Sequence, residues 1–263
     1  MQPAWDRVPA WVRKLGPVLA VYLAVVLLRL PDLTSRRFPP GGDIAEQIMW
    51  AHVWTGTAFA GAPPAIVIPP LYILAVVVPL ISLFPLFTAG IVLDILVSGL
   101  LVFPGYLLMR RLSLRKPFAL LGAFLLASAT AYSSMLSWNA GYNLFGIVLL
   151  TFSFAFTLEA LQSGTRKAAV LAAVFVGLTG AANFLSLVMA VAIFGIVLIA
   201  LLLFRARWEL LRRHLRVVAY SFVAMLPAAP VYYYLTLASY NTVSSPLAVS
   251  VPAAGAPAFG PVG

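Results

Sequence analysis

The chain has 263 residues, 63% of them hydrophobic and 9% charged, with a formal net charge of +10. That balance excludes a soluble domain of this length. The positive charge argues against a nucleic-acid binder, because the cations lie immediately beside long apolar runs, where they set membrane orientation and meet anionic headgroups. No cysteine is present, which excludes disulfides and thiolate metal sites.

Apolar runs of about 16–23 residues can each cross a hydrocarbon core of roughly 30 Å. Helices satisfy their own backbone groups in lipid, so the fold class expected is an all-α polytopic membrane protein with about seven transmembrane helices. The first span is expected at 15–30, after Arg13 and Lys14. No small-residue cleavage site follows it, so it reads as a retained span rather than a signal peptide.

An outer loop, 31–61, comes next and holds FPPGGDIAEQIMWAHVW. Asp43 and Glu46 have the spacing of a capping box, in which the first side chain bonds an amide three residues on and the second reaches back. The helix they open carries Trp50 and Trp54 on one side, as a juxtamembrane helix lying at headgroup depth does. The same carboxylates are also the leading candidates for chemistry. Asp43 at that interface is placed to act as a general base on an acceptor hydroxyl, or to bind a divalent metal ion that neutralises a phosphate leaving group. His52 lies nine residues from Asp43, off its helical face, and reads as an interfacial polar residue or a substrate contact.

Residues 62–87 carry Pro63, Pro64, Pro69, Pro70, Pro79 and Pro85. Each removes a backbone donor, so the stretch is expected as a re-entrant or juxtamembrane element, with a kinked full crossing as the alternative. Further spans are expected at 88–108, 117–134, 144–162, 168–182, 184–204 and 217–237. Asp94 falls inside the first of these, 88–108, and ionisable groups at membrane depth mark function or a polar helix contact. Trp138 and Asn139 lie in a loop suited to sugar stacking or to interfacial anchoring. Asn183 marks the break between two spans and is expected to face the same outer cavity. Residues 1–240 form one transmembrane domain, and 241–263 an irregular Pro/Ala/Gly-rich tail. The tail suggests the N-terminal part of a longer membrane protein, or a short version of one.

The clusters Arg7/Arg13/Lys14, Arg110/Arg111/Arg115/Lys116, Arg166/Lys167 and Arg205/Arg207/Arg212/Arg213/Arg216 hold 14 of the 17 basic residues. They share one side only if 62–87 fails to cross. The positive-inside rule then makes the N-terminus cytoplasmic and puts the Asp43 loop and the tail outside an integral cytoplasmic-membrane protein.

Several features resemble the membrane half of GT-C superfamily glycosyltransferases, nearest the 6-pyruvoyl-tetrahydropterin synthase-related membrane domain. They are GGD at 41–43, Pro-Pro-Leu-Tyr at 69–72, YLLMRRLSLRK at 106–116, ALLGAFLLASA at 119–129 and LEAL at 158–161. The resemblance covers roughly residues 15–204. It implies a polyprenyl-phosphate-linked sugar as donor, with Asp43 as the catalytic or metal-binding acid and Glu46 beside it. Where members often have a His shortly after the Asp, this chain has Glu46 and Gln47, and a mid-chain Thr-His pair is replaced by Thr179-Gly180. The competing expectation is a non-catalytic accessory subunit packed against membrane protein partners. A transporter is disfavoured, since Asp94 is the one clear charge within the spans and no inverted repeat is visible.

Overall fold

The computed structural model describes residues 10–34, 71, 73–84, 88, 92, 96–129, 141–203 and 208–227. Among these residues all regular structure is helical. Helix α1 spans Ala10–Thr34, and a short α2 (Val78–Leu83) follows a wide π-type turn at Ile73–Val77. Then come α3 (Val102–Arg111), α4 (Lys116–Ser128), α5 (Gly141–Ser163), α6 (Arg166–Ala182), α7 (Phe184–Leu203) and α8 (Trp208–Met225).

Local chemistry fixes several of these boundaries. Pro117 sits in the first turn of α4, where its missing N–H costs nothing, and Ala129 turns extended to end the helix. Gly164 ends α5 with φ +69°, a left-handed position where a side chain is strained. Asn183 is extended between α6 and α7, and its Oδ1 accepts the Ser186 N–H at 2.8 Å. It therefore serves as N-cap of α7, which explains the break in the long apolar run.

Helix α5 joins two packed interiors. On one side Leu150 and Ala160 meet Ala169, Ala172 and Val176 of α6, Phe194 of α7 and Val217 of α8. On the other, Val148 packs with Val18 and Val25 of α1, Val102 of α3 and Ala123 of α4. Small residues let the backbones come close: a Cβ on Gly177 would lie 2.5 Å from the carbonyl oxygen of Ala224, so α6 and α8 are in near backbone contact.

Two helical stretches are long and apolar enough to cross a membrane, Asn143–Ser163 and Leu185–Leu203. The second is only 17% buried, and so wide an apolar face is stable against lipid rather than water. The count of seven spans is not reached among the described residues. The apolar segments of α1 and α4 are shorter, at Leu15–Pro31 and Lys116–Ser128. Of the expected 117–134 span, the described part is helical to Ser128, with Ala129 extended. The start expected at 217 falls earlier: α8 starts at Trp208, so Arg212, Arg213 and Arg216 lie on a helix rather than in a loop before one. The reason is that a run-length reading stops at charges, whereas a helix can carry them on one face.

Candidate functional site

The helices gather their charges at one end. Arg111 at the end of α3 pairs with Glu159 of α5 at 2.7 Å, and Gln162 donates to the Arg111 carbonyl at 2.9 Å. From α8, Arg213 donates to the carbonyls of Leu161 and Gln162 at 2.8 and 3.1 Å, and Arg216 donates to that of Gly164 at 3.4 Å. Arg213 also pairs with Glu209, one turn earlier, at 3.2 Å. Arginines of α8 thus cover the carbonyls that end α5, where a cation complements the helix dipole, and Arg111 pairs with α5 beside them. Glu159, close in sequence to Arg166 and Lys167, is paired with Arg111.

The far end is built from buried, mostly neutral groups. Asn183 is 3% exposed, and its Nδ2 donates to Asn143 Oδ1 at 2.5 Å. A Cβ on Gly146 would lie 2.6 Å from Ser186 Oγ and 2.7 Å from Asn183 Cβ, so α5 reaches this corner only because position 146 is glycine. Arg29, 5% exposed near the end of α1, donates to the carbonyls of Ala127 and Ala129 at 2.8 and 3.4 Å. A guanidinium thereby covers the C-terminal carbonyls of α4.

Of the residues singled out from sequence, Asn183 is the one whose geometry is described, and it caps a helix and holds a neighbouring one. Asp43, Glu46, His52, Asp94, Trp138 and Asn139 lie outside the described residues, and so does the divalent-metal site expected at Asp43. Among the described residues no group of three or more His, Asp or Glu side chains comes together.

Sequence reasoning passed over His214. It is fully buried on α8, with Nε2 donating to the Phe194 carbonyl at 3.1 Å and its ring edge-on to Phe194. A carbonyl only accepts, so that bond places a proton on Nε2. The available signal was spacing: His214, Val217 and Ser221 recur at three and four residues, the buried stripe of a helix.

No family model, characterised protein or solved structure matches this chain. Among the described residues the fold is all-helical, with two helices of membrane-crossing length and a basic end.

Proposed function

We propose that the chain is the membrane-embedded part of a GT-C-like glycosyltransferase, taking sugar from a polyprenyl-phosphate donor at the outer membrane face. The observation that supports it most is the direction of α1. That helix ends, through Arg29, beside the end of α4, opposite the basic cluster, and the acidic insert follows from there. Eight residues lie between Thr34 and Asp43, so the acidic insert follows that end closely in sequence.

In this reading the bundle makes about seven crossings, the N-terminus is cytoplasmic, and 62–87 enters without crossing. The described part of that stretch, Ile73–Leu83, is 11 residues or roughly 16 Å of helix, about half a hydrocarbon core. Asp43 takes the proton of the acceptor hydroxyl as the acceptor oxygen bonds the sugar. The bond from sugar to phosphate breaks, and its electron pair leaves with the polyprenyl phosphate. A divalent ion held by Asp43 would neutralise charge on that phosphate. Glu46 flanks Asp43, with His52, Asp94, Trp138 and Asn139 as contacts to donor or acceptor.

Asp43→Asn is expected to lower turnover of a polyprenyl-phosphate sugar at least 100-fold, the usual order for losing a general base, while helical content is kept. Unchanged turnover would overturn the assignment. The second reading, an accessory subunit, is favoured by the exposed apolar face of α7 (Leu185, Val188, Val191 and Ile196). It predicts co-purification with a stable membrane partner and no binding of the donor.

A further inference from the structure

Arg166, Lys167 and Arg212 are exposed and make no hydrogen bond or ion pair with another described residue. Their surroundings offer them no acid either. The carboxylates described at this end, Glu159 and Glu209, each already hold an arginine. The near backbone contact of Gly177 with Ala224 sets α6 directly against α8, and two cylinders in contact have a groove along their seam.

Helical spacing shows what lines this groove. Val170 and Val174 lie seven and three residues before Gly177, on the side of α6 that adjoins its contact with α8. Both are 44% exposed. On α8 the matching edge carries Arg212, Arg216 and Val223, the last 62% exposed. Cations therefore occupy the basic end of the groove and bare valines continue it toward the bundle middle. A soluble polyanion such as a nucleic acid or an acidic peptide would use the first feature and leave the second in water. An amphiphile uses both.

We propose that the groove between α6 and α8 seats an anionic membrane phospholipid. Its phosphodiester lies among Arg166, Lys167, Arg212 and Arg216, and an acyl chain lies along Val170, Val174 and Val223. Arg216 already touches the Gly164 carbonyl and has donors left over for a phosphate oxygen. The site stands whether or not the protein is an enzyme.

The test is the ratio of phosphatidylglycerol to phosphatidylcholine that stays bound after purification from vesicles of the two lipids. The native chain is expected to retain phosphatidylglycerol selectively. Each basic residue near an anionic surface contributes on the order of a fivefold preference, so Arg166→Gln with Arg212→Gln is expected to lower the selectivity roughly 30-fold. Arg115→Gln with Lys116→Gln, at the α3–α4 turn, is expected to leave most of it intact. If the first pair fails to fold, Val174→Phe keeps every charge, fills the acyl track and is expected to reduce retention. Equal losses in the two double variants, equal binding of both lipids, or full displacement by inorganic phosphate would each overturn the proposal.

Discussion

The two ends of the bundle solve the same problem with opposite materials. Each must satisfy backbone groups left open where helices stop. At the basic end this is done by arginines of α8, of which Arg213 keeps 23% of its side-chain exposure, and the Arg111–Glu159 pair beside them keeps 36% and 26%. At the far end it is done by groups nearly sealed from outside, Arg29 at 5% and Asn183 at 3%. Exposed charge pairs are screened and exchange readily with solvent or headgroups, so they contribute little stability and stay available to partners. Buried bonds contribute more, because the partner left behind has nothing else to bond. The far end should therefore carry stability and the basic end recognition.

That contrast can be broken by substitution. Arg29→Met removes the cover from the Ala127 and Ala129 carbonyls and is expected to cost about 2 kcal/mol, read as a lower midpoint in denaturant unfolding in micelles. Asn183→Ala removes the cap of α7 and the bond to Asn143, and about 1 kcal/mol is expected. Combined with Asn143→Ala in a cycle, it should show a coupling of about 0.6 kcal/mol, the average for polar contacts between membrane helices. Arg111→Gln breaks the pair with Glu159 and should change stability by less than about 1 kcal/mol, an effect that shrinks further as salt is raised. If Arg111→Gln proved as damaging as Arg29→Met, the division between the two ends would be wrong.

Much of the bundle was legible in sequence, because apolar run length and turn residues act locally. The run 144–162 became Gly141–Ser163 and 184–204 became Phe184–Leu203. The break expected near Gly180–Asn183 falls at Asn183. Less legible were features that depend on a partner helix. The first half of α8 reads as a charged loop until the carbonyls of Leu161, Gln162 and Gly164 are found opposite its arginines. Arg29 reads as a stray outer charge until the end of α4 is brought to it. Asn183 reads in sequence as a polar residue at a span break facing an outer cavity, yet its amide is committed to Ser186 and Asn143, which no spacing rule links. Asp43 and its neighbours lie outside the described residues and rest on the sequence alone.

The proposed topology, in which the basic end and position 139 lie on opposite sides of a membrane, is the claim to test. The chain has no cysteine, so single thiols at Ser113→Cys and Asn139→Cys can be probed in intact cells with an impermeant maleimide. Protection at 113, in the turn between α3 and α4, with labelling at 139, ahead of α5, is the predicted result. Labelling at 113 with protection at 139, or equal labelling of the two, would contradict it.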